Sequence, residues 1–273
     1  MNFSRRASDH LVRFQRQFGK KIVLGQRSYE IKGYISNILS VKAEEHWEPE
    51  LDQVFVDVLG ENGYFIDVGM NLGQTLGRVL AVDPSRQNVG FEPQVFACAM
   101  VDLFLKQNRL TDCITLPIGL SDQNGIKSFF STGSADTMAS LHDREGAERI
   151  SIPVRIGDEV VRELGIEAIC AIKIDVEGAE PEVIAGLSGT IKKFRPPIIF
   201  EVLPNYEGEE RTPVTDTVAK QRRKGASQIM RLLNDIEYTV YQPLQDGTEK
   251  RVKSFDLDRP SNFSGTNFVA RST

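Results

Sequence analysis

From residue 64 onward, the sequence alternates short apolar runs with stretches in which apolar residues recur at helical spacing. This alternation is typical of βαβ units, in which helices join consecutive parallel strands. It predicts strands at residues 64–68, 88–91, 114–118, 169–174, 198–202, 238–242 and 267–270, and helices at residues 74–82, 94–109, 158–164, 180–187 and 226–235. The chain is therefore predicted to be an α/β protein built around a largely parallel sheet.

The N-terminal part of the chain does not follow this alternation. Apolar residues at helical spacing predict a short amphipathic helix near the start, and residues 21–31 predict a small hairpin. We therefore expect an N-terminal extension at residues 1–50 and one domain at residues 51–273. Within that domain, the polar stretch 204–225 is predicted to be a lid or a linker.

Composition narrows the class of protein. An apolar fraction of 40% in 273 residues is ample for a packed core. The net charge of −5 gives no electrostatic reason to expect a nucleic-acid partner. The three cysteines have no CxxC spacing, so we expect them to be reduced, as in a cytoplasmic protein. No apolar run is long enough for a signal peptide or a membrane span, which predicts a soluble protein that is not exported.

The first predicted strand ends in a turn that contains two glycines. Gly69 and Gly73 allow backbone N–H groups to approach a ligand at the carboxyl edge of a parallel sheet. Their G-x-x-x-G spacing differs from the G-x-G-x-x-G of a dinucleotide site, which argues against a nucleotide-dependent oxidoreductase. The next strand ends in Glu92, which is placed to accept hydrogen bonds from ribose hydroxyls. The alternative role for Glu92 is a charge near a helix N-terminus.

Three carboxylates follow the predicted strand 169–174 within the stretch IKIDVEGAE. They could form a metal site, an acid/base pair or the polar end of a strand. Asp175 and Glu177 would share one side of an extended strand, although Gly178 indicates that the chain is already turning. Glu180 precedes a proline at a helix start, which favours a role as negative charge at the helix N-terminus.

Several motifs together resemble the FkbM family of S-adenosylmethionine-dependent methyltransferases. They are DVGMNLG, GFEPQ, LKQN, PIGLSDQNG, IKIDVEGAEPEVIAGLSGTI and PPIIFEV, within residues 48–270. The resemblance implies a Rossmann-like class I methyltransferase fold, with a mostly parallel seven-stranded sheet, an antiparallel last strand and helices on both faces. It implies O-methylation of a hydroxyl group on a small molecule, sugar or glycan, with S-adenosylmethionine as the cofactor. Met70 stands where family members commonly carry alanine.

The resemblance also assigns cofactor-binding roles to individual residues. It implies a loop on the methionine side of the cofactor, formed by Asp67, Gly69, Asn71 and Gly73. It also implies a ribose contact at Glu92 and an adenine contact at Ser121 and Asp122. Apart from the resemblance, we expect Asp175 to face the cofactor because it lies closest to the end of its strand. A methyltransferase-like domain that binds without catalysis is the alternative, but such a domain has no physical need to keep buried acids, whose charge is costly unless paired.

Methyl transfer to an alcohol requires in-line positioning and a general base. The candidate catalytic residues are Asp175, Glu177 and His142, which lies in a polar loop. Glu201 is placed to line the acceptor pocket, or to pair with Arg195 or Lys173. Two carboxylates would suffice for Mg²⁺, but no metal ion is predicted. The identity of the acceptor and the presence of a homo-oligomer stay open.

Overall fold

The computed structural model describes residues 21–24, 26–30, 48–131, 148–207, 212–258 and 265–273. The predicted N-terminal helix and the candidate base His142 lie outside these residues. The strands, in chain order, are β1 (Lys21–Leu24), β2 (Arg27–Glu30), β3 (Tyr64–Val68), β4 (Asn88–Phe91), β5 (Cys113–Leu116), β6 (Gly119–Ser121), β7 (Gly125–Ser131), β8 (Glu148–Ile156), β9 (Ile169–Ile174), β10 (Ile198–Glu201), β11 (Tyr206–Glu207), β12 (Thr212–Pro213), β13 (Tyr238–Pro243), β14 (Glu249–Val252) and β15 (Asn267–Ser272).

A 3-10 turn at Pro49–Leu51 leads into the first described helix. The helices are α1 (Asp52–Val58), α2 (Gln74–Val82), α3 (Val95–Asn108), α4 (Gly157–Glu163), α5 (Glu180–Gly186), α6 (Ser188–Phe194) and α7 (Asp216–Asp235). The described helices include none that is both long enough and apolar enough to cross a bilayer. Strands β1 and β2 pair antiparallel and form the predicted hairpin.

The central sheet has the order β14-β13-β15-β10-β9-β3-β4-β5. Strands β5, β4, β3, β9 and β10 are parallel, whereas β15 runs antiparallel to both of its neighbours. The seven predicted strands and the antiparallel last strand are therefore confirmed, and β14 adds an eighth strand by pairing with β13. The chain leaves β3 for β4 on one side and reaches β9 on the other, and ligands bind at such a switch point.

Helices cover both faces of the sheet, as the alternation along β3 requires. Ile66 and Val68 belong to a large apolar cluster with residues of α5, α6 and α7. Phe65 faces the opposite side, where it packs in a second cluster with residues of α1. Burial on both faces explains why the central strands read as almost continuous apolar runs.

The prediction of a lid or linker at residues 204–225 is wrong for its second half. Helix α7 begins at Asp216, and the Thr215 hydroxyl accepts a hydrogen bond of 3.4 Å from the backbone N–H of Val218 at its start. The first turns of this helix bury only Ala219, so they lack the apolar stripe that indicates a helix from sequence.

A small second sheet was not predicted. It has the order β6-β8-β7, and Phe129, Ile152 and Val154 form its buried side. The signal was available, because apolar and polar residues alternate along β8. The predicted strand 114–118 corresponds to β5, which spans Cys113–Leu116. The predicted helix 180–187 ends at Gly186, and α6 follows it directly.

Candidate active site

The turn after β3 adopts a backbone that favours glycine. Gly69, Asn71 and Gly73 all have left-handed φ angles, of 84°, 45° and 85°. The N–H groups of Gly69 and Met70 donate to the carbonyl of Phe91, at 2.9 and 3.1 Å. A β-carbon on Gly69 would lie 2.9 Å from the carbonyl carbon of Asp175. This glycine therefore lets the end of β9 pack directly against the loop.

Met70 does not point into the ligand side of this loop. Its side chain is buried with Leu72 and Leu76 in a third apolar cluster. It occupies the space beside Gly90, where an added β-carbon would lie 3.2 Å from the Met70 Cγ and would overlap its Sδ. The loop therefore buries the Met70 side chain while Gly69, Asn71 and Gly73 keep their left-handed backbone.

Glu92 ties the loop to the end of β4. Its Oε2 accepts the backbone N–H of Asn71 at 3.0 Å, and its Oε1 accepts that of Gln94 at 2.8 Å. Burial raises the pKa of Glu92 to about 7, against the effect of these two hydrogen bonds. A carboxylate offers about four acceptor positions, and a side-chain hydrogen bond from Gln94 uses a third, so this one retains capacity for a ribose hydroxyl. The arrangement fits the predicted ribose contact.

Asp67 is fully buried, with 0% of its surface exposed. Neither of its carboxylate oxygens has a hydrogen-bond partner among the described residues. Burial raises the pKa of Asp67 to about 7, while the charge of Lys173 acts in the opposite direction. Buried polar atoms are rarely left unsatisfied. The free acceptors of Asp67 therefore fit a ligand that brings N–H donors, such as the amino group of S-adenosylmethionine.

Lys173 is a buried cation beneath this edge of the sheet. Its Nζ lies 2.7 Å from Asp175 Oδ2, and their side chains are 4% and 25% exposed. Burial lowers the pKa of Lys173, but the carboxylates of Asp175, Asp67 and Glu48 outweigh it, so the pKa is raised. From the sequence, Lys173 was considered only as a possible partner of Glu201, not of Asp175. The available signal was a lysine inside an apolar strand. It lies two residues before Asp175, and side chains two residues apart share one face of a strand.

Three carboxylates meet where β9 and β10 end. One carboxylate oxygen from each of Asp175, Glu177 and Glu201 lies within 4.8 Å of the others. Burial raises the pKa of Glu201 well above its ordinary value, and the charges of Asp175 and Glu177 raise it further. This spacing would also suit a divalent cation, so the absence of a metal stays a prediction.

Among the described residues, no ion pair joins Glu201 to Lys173 or Arg195. Lys173 pairs with Asp175, and Arg195 donates to the carbonyls of Ile236 and Glu237, at 2.5 and 3.2 Å.

Glu180 stabilises the turn that carries Glu177. Its Oε1 accepts the N–H groups of Val176 and Gly178, both at 3.1 Å, and it is the first residue of α5. Burial raises the pKa of Glu180 to about 7, against the effect of these hydrogen bonds. The predicted role at the helix N-terminus agrees with this position. Glu177 itself has a left-handed φ of 53°, so the chain has already left the extended conformation.

The predicted adenine contacts lie at the end of β6. Ser121 is buried, and its hydroxyl accepts from Lys127 Nζ at 2.8 Å and donates to Asp122 Oδ1 at 3.2 Å. Asp122 is exposed. The adenine role of these two residues stays a prediction.

Comparison with known proteins identifies a matching family. Residues 63–240, more than half of the chain, match the model described as the methyltransferase FkbM domain. The chain is 24% identical over 220 residues to the hexuronic acid methyltransferase AglP of Haloferax volcanii, covering 77% of this chain and 86% of that protein. It is 32% identical over 150 residues to the 2-O-methyltransferase NoeI of Sinorhizobium fredii, covering 48% of this chain and 59% of that protein.

The fold also resembles solved structures. One is a Staphylococcus aureus protein provisionally described as a caffeoyl-CoA O-methyltransferase, with a TM-score of 0.50 and 8% identity. The similarity covers 89% of this chain and 93% of that one, and at this identity it concerns the fold alone. With more than half of the chain matched and a loop that fits the cofactor, the chain belongs to the FkbM family of methyltransferases and uses S-adenosylmethionine as its cofactor.

Proposed function

We propose that this methyltransferase acts on a hydroxyl oxygen of a sugar or glycan. The observation that carries the proposal is the direct packing of the cofactor loop at Gly69 against the end of β9, where the carboxylates of Asp175, Glu177 and Glu201 meet. Donor and proton acceptor are thus held at one edge of the sheet. The name of the relative AglP, a hexuronic acid methyltransferase, supports a carbohydrate acceptor, and that of NoeI, a 2-O-methyltransferase, supports transfer to oxygen.

Bound S-adenosylmethionine supplies an electrophilic methyl group on a sulfonium. Glu92 would hold the ribose, and Asp67 with the loop through Gly73 would hold the methionine part. Holding the cofactor rigidly in this way limits the directions from which an acceptor oxygen can approach, and such positioning can contribute on the order of 7–11 kcal/mol. Lys173 keeps Asp175 in place beside the loop through their 2.7 Å ion pair.

A hydroxyl acceptor must also lose its proton, for which a base within hydrogen-bond reach contributes about 10² to 10⁴ in rate. Glu177 and Asp175 stay candidate catalytic residues, and His142 stays a prediction outside the described residues. The carboxylates at the ends of β9 and β10 supply the proton acceptor in this proposal.

Ligand-dependent thermal unfolding tests the cofactor. A ligand at 100 times its dissociation constant stabilises a protein by about 2.7 kcal/mol. We expect S-adenosylmethionine and S-adenosylhomocysteine to raise the melting temperature and NAD to leave it unchanged. Stabilisation by NAD alone would contradict the proposal and favour an oxidoreductase.

The acceptor is tested by incubating the protein with S-adenosylmethionine carrying a labelled methyl group and a panel of sugars and glycans. We expect label on a sugar oxygen, in a linkage that resists ester hydrolysis. Cofactor binding without transfer to any carbohydrate, but with transfer to another class of hydroxyl compound, would overturn the carbohydrate assignment. Cofactor binding with no transfer at all would favour a binding domain.

A further inference from the structure

The order of the strand ends sets the direction in which the cofactor would lie. Strands β4, β3, β9 and β10 are consecutive neighbours in the sheet. Glu92 directly follows β4, the loop at Gly69 follows β3, Asp175 follows β9, and Glu201 is the last residue of β10. With the ribose on Glu92 and the methionine part on the loop, the far side of the sulfur faces the ends of β9 and β10. Glu201 is then one strand beyond Asp175 on the acceptor side.

Acids on two neighbouring segments act on Glu201. Asp175 and Glu177 face it from the end of β9, Glu48 faces it from the segment before the 3-10 turn, and Thr266 before β15 hydrogen-bonds to it. Like charges at this separation do not all ionise together, and one group retains a proton. Asp175 has the Lys173 ammonium at 2.7 Å to stabilise its charge. Glu201, held beside two acids, is the member of the group that keeps the proton.

We propose that Glu201 is the general base, and that it carries a proton in the free enzyme which leaves when the sulfonium of S-adenosylmethionine binds. The positive sulfur offsets the negative charge of the carboxylates and lets Glu201 ionise beside the incoming hydroxyl. The base is thus ready only when the methyl donor is present. This inference rests on the proposed function.

The step is balanced in charge and in atoms. The hydroxyl O–H bond breaks and its proton passes to the Glu201 carboxylate, while the O–C bond forms and the C–S bond breaks with its electron pair on sulfur. A sulfonium and a carboxylate become a thioether and a carboxylic acid, so no net charge is created in a partly dry site. Glu201 then holds a proton again, as in the free enzyme.

Proton release on binding provides a readout that does not depend on turnover. Titration calorimetry near pH 7, in two buffers of different ionisation enthalpy, gives the number of protons released for each ligand. S-adenosylhomocysteine has a neutral thioether where S-adenosylmethionine has a methylated sulfonium. Proton changes at Asp67 and Glu92 are therefore common to both ligands and cancel when the two proton counts are subtracted. We expect S-adenosylmethionine to release up to about one proton more than S-adenosylhomocysteine.

The variant Glu201→Gln should abolish most of that difference while leaving the affinity for S-adenosylhomocysteine within a few-fold. The matched control is Glu163→Gln, an acid of α4 whose partner is Arg155 at 2.8 Å, and it should behave like the wild type. The rate of methyl transfer should fall by about 10² to 10⁴ in Glu201→Gln only. If the glutamine variant does not fold, Glu201→Asp keeps an ionisable carboxyl group one methylene further back, so the difference in proton release should persist while the rate of methyl transfer falls.

Equal proton release by the two ligands in the wild type would overturn the inference while leaving the methyltransferase function intact. So would a full release difference in a folded Glu201→Gln variant. Measurements in EDTA separate a cation role, because a difference that requires added Mg²⁺ would make the carboxylates metal ligands instead. If S-adenosylmethionine does not bind at all, the proposed function fails together with the inference.

Discussion

The thioether of Met70 lies in the space that a β-carbon on Gly90 would occupy. The two residues belong to adjacent parts of the site, the cofactor loop after β3 and the strand β4 that leads to Glu92. An added β-carbon would lie 3.2 Å from Cγ and 3.3 Å from Cβ of Met70, so the side chain would have to move as a whole. The shape of the loop and the identity of residue 90 are thereby linked.

We predict that Gly90→Ala destabilises the protein by about 1–3 kcal/mol through overpacking. Met70→Ala alone should cost about 2–5 kcal/mol, because it leaves a cavity. In the double variant, the alanine methyl enters that cavity. The loss of stability in the double variant should therefore be smaller than the sum of the two single losses, by at least about 0.5 kcal/mol. Urea denaturation of the four proteins measures this coupling. Strict additivity would show that the contact is not formed.

Gly69 and Gly165 form a matched pair for testing the approach of β9 to the loop. Both have left-handed φ angles, 84° and 65°, but a β-carbon on Gly165 would meet nothing within 4 Å. Gly165→Ala should therefore cost only the conformational penalty of about 1–2 kcal/mol. Gly69→Ala should cost clearly more and should also weaken cofactor binding. Similar losses of stability in the two variants would argue against close packing at Gly69.

Glu92→Gln should weaken S-adenosylmethionine binding by about 10- to 150-fold, because this factor corresponds to the free energy that a hydrogen bond to a charged group contributes. The amide cannot accept hydrogen bonds on both of its terminal atoms, so it must also release one of the N–H groups of Asn71 and Gln94. Calorimetry measures the affinity, and circular dichroism checks that the variant is folded. Unchanged affinity in a folded Glu92→Gln would contradict the ribose assignment.

The pH dependence of stability tests the state of Asp67. Its pKa rises from 3.8 to about 7 because it is buried. A carboxyl group whose pKa is higher in the folded state stabilises the protein below its ordinary pKa, and this contribution is lost as the pH rises through about 7. In the ligand-free protein, we therefore compare the free energy of unfolding of Asp67→Asn with that of the wild type at each pH. The difference should shift in favour of the variant by at least about 1 kcal/mol from pH 5 to pH 8.

Chemical denaturation at both pH values gives this difference directly. The exposed Asp112 supplies the control, since Asp112→Asn should show no comparable change. A pH-independent effect of Asp67→Asn would show that Asp67 stays ionised throughout this range.

The sequence predicted the parts of the fold in which local pattern and tertiary environment agree. The strand at Tyr64–Val68 and the helix at Gln74–Val82 have the predicted bounds, because a fully buried strand and an amphipathic helix each leave a strong pattern. The start of α7 was missed because its first turns bury so little. The glycine turn after β3 could be predicted because a tight turn needs glycine at particular positions, whereas the ribose role of Glu92 stays a prediction.

What the sequence could not predict depends on contacts between distant residues. The proximity of Glu201 to Asp175 follows from the pairing of β10 with β9, and no local pattern contains it. The side chain of Lys173 could have paired with either acid, and only the packed structure selects Asp175. The position of Met70 beside Gly90 likewise requires two strands to be aligned before it can be recognised.

Strand β14 has a consequence for how molecules of this protein meet in solution. It lies at the end of the central sheet, and three of its four residues, Glu249, Lys250 and Arg251, carry charge. An unprotected sheet edge offers unpaired backbone groups to any passing strand, and charged side chains on a short edge strand discourage this. The additional strand therefore ends the sheet with a charged, four-residue border and so opposes edge-to-edge aggregation of the fold.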